Sequence, residues 1–260
     1  GNLTLQGYSY AASGSGRGVD LNNDVIAASG TVSMSGQHNT GATYAISLSG
    51  STSITAGTGV TLESLNDNTG TIALLSSGGI DGGSGTVLMR AANYAFGGAD
   101  RTITTTGVLT IEPDADENSF ASSFDNQYLN PVSVTGLTLG KSSNASAITL
   151  SRAISLSGPV SIYGGSIDVN ANITANSGNI LLDADTGSTL NQSSTGILLD
   201  DVITIETVTS GNLTLIGRSG DTGSGFDGID ASSANTTTLR SAGNLTLQGY
   251  SYAASGSGRG

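Results

Sequence analysis

GNLTLQGYSYAASGSGRG, residues 1–18, returns letter for letter as residues 243–260, an offset of 242 with none of the eighteen positions changed. Self-similarity at a fixed period marks repeat architectures, in which the fold is set by what one period contains. The chain therefore reads as one full period, residues 1–242, followed by the opening of an identical one, residues 243–260. It reads as a window on a longer tandem array.

Inside the repeated stretch, Leu3 and Leu5 alternate with Asn2, Thr4 and Gln6, the pattern of a strand with one buried face. The same short unit of glycine or alanine, then aliphatic residues alternating with serine or threonine, recurs throughout. Examples are Gly30-Thr31-Val32-Ser33-Met34, Ala45-Ile46-Ser47-Leu48, Ala153-Ile154-Ser155-Leu156 and Gly211-Asn212-Leu213-Thr214-Leu215. The alternation predicts that Leu3, Leu5, Val32, Met34, Ile46, Leu48, Ile154, Leu156, Leu213 and Leu215 share an inner face. Thr4, Ser33, Ser47, Ser155 and Thr214 are expected to meet water. Glycine and asparagine at the strand ends suit tight turns.

One such coil cannot stand alone. Each buried aliphatic side chain contributes roughly 1.5–3 kcal/mol, whereas fixing each residue's backbone costs roughly 1–2 kcal/mol. Its strand edges also stay unpaired until a neighbour stacks on them. Stacking repairs both deficits, and the expected fold is an all-β solenoid, a parallel β-helix. The spacings Gly178 to Gly211 and Gly211 to Gly243 give coils of 33 and 32 residues; elsewhere coils of roughly 20–25 residues are expected. That predicts roughly 8–11 coils per 242-residue period, about 40–55 Å at the usual strand separation of about 4.7–4.9 Å.

Two stretches depart from the pattern and read as insertions, near 90–101 and 112–131. Glu112–Pro131 places Phe120, Phe124 and Tyr128 at i, i+4 and i+8 behind Asp114, Asp116 and Glu117, which predicts a short helix. Its aromatic side is also a candidate contact surface. Arg90–Arg101 carries Tyr94 and Phe96 in a glycine-flanked loop. With Tyr8 and Tyr10, these aromatics make the candidate interaction surface, and the coil interior is expected to be aliphatic.

Composition narrows function. Residues 1–242 hold all 20 acids against seven bases, a net charge of −13. There is no basic footprint for nucleic acid and no apolar run of the roughly 20 residues a membrane-inserted helix needs. Cysteine is absent and His38 is the only histidine, in a polar stretch that reads as a solvated turn. A zinc site or a Ser–His–Asp triad finds no support in that inventory. Carboxylates that could serve glycoside hydrolysis are Asp183 with Asp185, Asp200 with Asp201, and Asp114 with Asp116 and Glu117. Each sits at a strand end or loop, where acids are ordinary solvating residues, so no catalytic residue and no cofactor are assigned. Structural calcium is the metal this inventory suits, with Asp67, Asp81, Asp221, Asp227 and Asp230 supplying oxygens among glycines. The sequons at Asn2, Asn144 and Asn172 are what an Asn/Ser/Thr-rich chain produces by chance.

Ala147–Ala184 (AITLSRAISLSGPVSIYGGSIDVNANITANSGNILLDA) and the recurrent GNLTLxG resemble giant bacterial surface proteins of the filamentous-haemagglutinin type, the repetitive β-solenoid adhesins that include MBG/YDG-type repeats. The resemblance implies a right-handed parallel β-helix, secretion to the cell surface, and work as an adhesin, stalk or filament-forming spacer. The expected partners are further tandem copies, neighbouring fibres, and a cell-surface or glycan target. A polysaccharide-active β-helix enzyme and a non-catalytic glycan-binding module are the competing readings. The charge of −13 is expected to oppose bundling of fibres unless cations bridge the acids.

Overall fold

The computed structural model describes residues 1–10, 16–38, 43–65, 69–75, 78–98, 100–185, 194–220, 226–232, 236–252 and 258–260. Two units divide the chain, one of residues Gly1–Ser122 and Tyr128–Thr135, the other of Ser123–Gln127 and Gly136–Gly260.

The first unit runs in rounds of three strands. These are β1 (Leu3–Ser9), β2 (Arg17–Leu21) and β3 (Val25–Ala27); β4 (Val32–His38), β5 (Tyr44–Leu48) and β6 (Ile54–Ala56); then β7 (Val60–Ser64), β8 (Thr71–Leu74) and β9 (Ile80–Asp81). A fourth round follows as β10 (Val87–Arg90), β11 (Asn93–Phe96) and β12 (Arg101–Thr104). β13 (Val108–Glu112) opens a fifth, in which the two-residue β14 (Phe124–Asp125) belongs to the second unit before β15 (Leu129–Val132) returns to the first. Every strand of this unit pairs in parallel with the third strand along. The three ladders are β1-β4-β7-β10-β13, β2-β5-β8-β11 and β3-β6-β9-β12-β15. Leu3, Val32, Val60, Val87 and Leu109 stand in register, so successive coils are 29, 28, 27 and 22 residues long.

The second unit repeats the scheme. Its rounds are β16 (Gly136–Leu139), β17 (Ile148–Leu150) and β18 (Ile154–Leu156); β19 (Val160–Gly164), β20 (Ile167–Val169) and β21 (Ile173–Ser177); and β22 (Ile180–Ala184), β23 (Ile197–Leu199) and β24 (Thr204–Ser210). β25 (Leu213–Arg218), β26 (Ile229–Asp230) and β27 (Thr238–Arg240) precede the last strand, β28 (Leu245–Tyr250). Its ladders are β16-β19-β22-β25-β28, β14-β17-β20-β23-β26 and β18-β21-β24-β27. Leu137, Val160, Ile180, Leu213 and Leu245 align, giving coils of 23, 20, 33 and 32 residues.

A chain whose strands pair in parallel with the third strand along is a parallel β-helix with three strands to the coil. Among the described residues nine rounds separate β1 from β28, within the expected range. Alternation does what the sequence implied: Val32, Met34, Ile46, Leu48, Leu213 and Leu215 have no exposed surface, and Ile154 and Leu156 are buried.

Backbone approaches too close for a side chain explain two glycines within the long strands. A Cβ at Gly36 of β4 would collide with the Ala45 carbonyl of β5, and one at Gly217 of β25 with the Gly228 carbonyl. Asparagines order the opposite end of the same strands. Asn179 Oδ1 accepts the Asn212 N–H at 2.9 Å, and Asn212 Oδ1 accepts the Asn244 N–H at 2.9 Å. Asn2 and Asn172 do the same for Thr31 and Thr204. These side chains replace backbone acceptors where coils begin, which is how polar groups at turns stay satisfied.

Four expectations are corrected. No described residue is helical, and the 112–131 stretch is made of bends around β14 and β15. Asp114 Oδ1 accepts the Ala115 N–H and Asp125 Oδ1 accepts the Gln127 N–H, local bonds that compete with a helix. The stretch 90–101 is no insertion, because β11 pairs with β8 as an ordinary middle strand of the coil. Ser47 is fully buried beside Ala73, so both faces of β5 are covered there. His38 ends β4 opposite Ser9 at 6% exposure, a strand residue packed against its neighbours instead of a solvated turn.

Candidate interaction surface

The repeated segment builds the same local geometry twice. LTLQGY is a strand in both copies, Gly7 packs against the Gly18 carbonyl, and Gly249 packs against the backbone of Gly260. Alternation along these strands turns the tyrosines outward. Tyr8 and Tyr10 are 47% and 82% exposed, and with Ser9, Gln37 and His38 they line a recess of about 280 Å³. In the second copy Tyr250 and Tyr252 stack with centroids 6.4 Å apart, and the Arg218 guanidinium lies 5.7 Å from the Tyr250 ring centre. Arg218 also holds Asp183 at 2.7 Å and donates to the Ala184 carbonyl, so its fork is anchored before any partner arrives.

The other proposed contact aromatics divide. Phe120 and Phe124 are 3% and 4% exposed, so they belong to the core and not to a contact surface, and the interior is not purely aliphatic. Phe120 meets the half-buried Tyr94 edge-on at 5.9 Å, and the Tyr94 hydroxyl donates to the Glu112 carbonyl at 3.1 Å. Burial of that hydroxyl, reinforced by the Glu112 charge, pushes its pKa well above the usual tyrosine value. Phe96 and Tyr128 are half-buried. An ion-pair line crosses the same unit, with Arg90 in register between Glu63 and Glu112 and its Nε 2.5 Å from Glu112. The hydrogen bond to Glu112 raises the Arg90 pKa further.

Asp183 is taken up by Arg218, while Asp185 is buried in a left-handed backbone conformation at φ 61°. Asp200 and Asp201 are exposed, and Asp114 is buried beside exposed Asp116 and half-buried Glu117. Of the calcium candidates, Asp67 and Asp221 lie outside the described residues. Asp81, Asp227 and Asp230 accept backbone N–H groups from Gly83, Arg259 and Ser232, which assigns them turn and inter-coil bonds. Among the described residues no three His, Cys, Asp or Glu side chains are grouped to hold a metal ion. The sequons have structural work too, since Asn144 is 1% exposed and bonds the Tyr163 carbonyl.

Asp168 is the acid the sequence did not single out. It faces outward from β20, and burial, followed by the charges of Asp200, Asp125 and Asp201, raises its pKa against a hydrogen bond from Asn170 that lowers it. A carboxyl raised in the folded state costs stability above that raised pKa, and the cost disappears as pH falls below its unfolded value near about 3.9. Asp168→Asn is expected to raise the melting temperature at pH 7 and to make no difference near pH 3. Thermal melts across that range check it.

No protein-family model matches the chain, and no curated protein or solved structure matches it either. Fold and surface together define the class: a three-strand parallel β-helix with an exactly repeated, tyrosine-bearing terminal strand.

Proposed function

We propose that the chain is a non-catalytic structural repeat of a bacterial surface fibre, serving as stalk or spacer and presenting outward side chains for adhesion. One observation carries this reading. The 242-residue period holds a whole number of coils, so both copies of residues 1–18 land on the first strand of a coil with the same inward leucines and the same glycine corner. A period that closes on whole coils lets copies follow one another with no break in the ladders. The extracellular location, further tandem copies as partners, and filamentous-haemagglutinin-like character belong to the same proposal and rest on the textural resemblance of Ala147–Ala184. The test is electron microscopy of chains carrying one and two periods. Nine more strand separations should lengthen the particle by about 42–44 Å; a second copy appearing as a detached globule would reject the reading.

A second reading is favoured by the recess under Tyr8 and Tyr10. Aromatic faces flanked by amide and imidazole groups suit the apolar face and hydroxyls of a sugar, which makes a non-catalytic glycan-binding module the alternative. Glycan-array binding abolished by Tyr8→Ala, with the fold intact, would support it, and an array with no binding would remove it.

A further inference from the structure

A groove of about 190 Å³ lies on the outer face of the third ladder of the first unit, lined by Ser53, Thr55, Gly79, Asp81 and Thr104. The strands that build it, β6, β9 and β12, are each paired on both sides, so its walls are complete within the chain. Ile54, Ile80 and Ile103 stand in register and are buried, which turns the residues on either side of each to the surface. One outward row is Thr55, Asp81 and Thr104. The other, two residues earlier, is Ser53, Gly79 and Thr102, and the missing side chain at Gly79 opens the groove. Nothing in the backbone asks for that glycine. A Cβ there would meet only the Thr102 carbonyl at 3.7 Å, an ordinary contact, and its φ lies outside the left-handed region. At Gly78, by contrast, a Cβ would collide with the Thr52 carbonyl. The register also runs past Gly79 with no bulge. A glycine in line with a ladder weakens it, and with no bulge or bend to serve it leaves room for the approach of another group.

Every polar side-chain atom lining the groove is an oxygen. Asp81 Oδ1 accepts the Gly83 N–H at 2.9 Å, and Ser53 Oγ accepts the Gly79 N–H at 3.3 Å. No hydrogen bond among the described residues uses Asp81 Oδ2 or the hydroxyls of Thr55 and Thr104. Those two threonines flank Asp81 in register, one strand away on each side, at the usual separation of about 4.7–4.9 Å. Arg101, the base on the adjoining strand β12, is turned inward with no exposed surface and donates to the Thr52 carbonyl. An anion would therefore meet a carboxylate and no opposing charge. Calcium draws on roughly 6–8 oxygens, and among the described residues no three acids are grouped to hold it. A primary ammonium fits instead, because its three N–H donors carry one positive charge and match one carboxylate oxygen and two hydroxyls. The groove is smaller than the roughly 300–1,000 Å³ of sites for drug-sized ligands, so it suits a single short chain. We propose that it binds a primary alkylammonium group, the nitrogen on Asp81 between Thr55 and Thr104 and the stem over Gly79 between Ser53 and Thr102. The net charge of −13 per period draws such cations to the chain. The site depends on ladder geometry and rests on neither reading of function given above.

Amide-resolved NMR titration of the full chain at pH 7 and constant ionic strength tests it, with n-butylamine as the probe. Saturable shifts are expected at Ser53, Thr55, Gly79, Asp81 and Thr104. Tetramethylammonium carries the charge without an N–H, and 1-butanol carries the stem without the charge. Each should bind about tenfold more weakly than butylamine, the worth of a charge-assisted hydrogen bond. Asp81→Asn keeps an acceptor for the Gly83 N–H and removes the charge, and Gly79→Val fills the slot at a position with room for a side chain. Both variants should melt as the parent and lose about tenfold in butylamine affinity, while Thr61→Val, on the first ladder, leaves it unchanged. Nα-acetyl-lysine methylamide, titrated in parallel, separates the sources of the amine. Binding of both probes makes a partner's lysine side chain a ligand, and binding of butylamine alone restricts the site to free amines. No saturable shift at the groove, equal binding of tetramethylammonium or 1-butanol, or indifference to Gly79→Val and Asp81→Asn would each overturn the proposal.

Discussion

Gly36→Val is expected to lower stability by several kcal/mol, while Gln37→Val, one residue further along β4, stays within about 0.5 kcal/mol of the parent. The difference follows from which side of the strand each residue faces. Gly36 faces inward within β4, in register with Gly7 and Ser64, and any Cβ there meets the Ala45 carbonyl. That obstacle is backbone, held by ladders on both sides, so it cannot swing away as a flexible side chain would. Overpacking a rigid site costs about 1–3 kcal/mol even where some relaxation is available, and a branched side chain against backbone belongs at or above the top of that range. Gln37 is exposed and has room. Urea denaturation of the two variants checks the prediction. Equal midpoints would mean that β4 and β5 do not approach this closely at Gly36.

Phe120→Ala should be nearly as damaging, by about 3–5 kcal/mol, the usual loss for a buried phenyl group. Its ring is 3% exposed and packs edge-on against Tyr94, whose hydroxyl is tied to the Glu112 carbonyl. Truncation therefore removes both the phenyl volume and the support of a tyrosine that cannot easily turn to water. A surface contact residue would behave in the opposite way, weakening association and leaving the melt unchanged. Calorimetry of Phe120→Ala alongside the exposed-site variant Tyr10→Ala separates the two: a large drop for the first and none for the second.

Much of this fold was legible because strand alternation is a local signal. Val32, Met34, Leu213 and Leu215 could be assigned to the interior from their spacing alone, and the long coils could be measured from Gly178, Gly211 and Gly243. The stretches that misled did so for a shared reason, that their order comes from neighbours distant in the chain. Phe120 and Phe124 repeat at a helical interval, yet Phe124 is fixed by pairing with Ile148 and Phe120 by Tyr94. Ser47 looks like a wet serine in its own strand and is covered only in the assembled ladder. His38 reads as part of a turn because the three residues around it are polar, although its backbone continues β4 against β1. Arg101 is the extreme case, a guanidinium with no exposed surface that donates to the Thr52 carbonyl 49 residues away, its pKa lowered to about 10 by burial. Nothing in the string RTITTT announces an inward arginine. The asparagine line is hidden because Asn2, Asn172 and Asn212 match sequon and turn statistics equally well and Asn179 matches a turn, and only inter-coil register shows what they bond.

Residues 245–250 form the first strand of a coil as residues 3–8 do, and the two strands are paired on opposite edges. Residue-resolved amide hydrogen exchange on the dilute chain addresses this pairing directly, because the two segments are chemically identical. The predicted result is a pair of complementary patterns, with Leu3, Leu5 and Gly7 protected and Thr4, Gln6 and Tyr8 fast in the first copy, and with Thr246, Gln248 and Tyr250 protected and Leu245, Leu247 and Gly249 fast in the second. The same pattern in both copies, or no protection across residues 245–250, would contradict it.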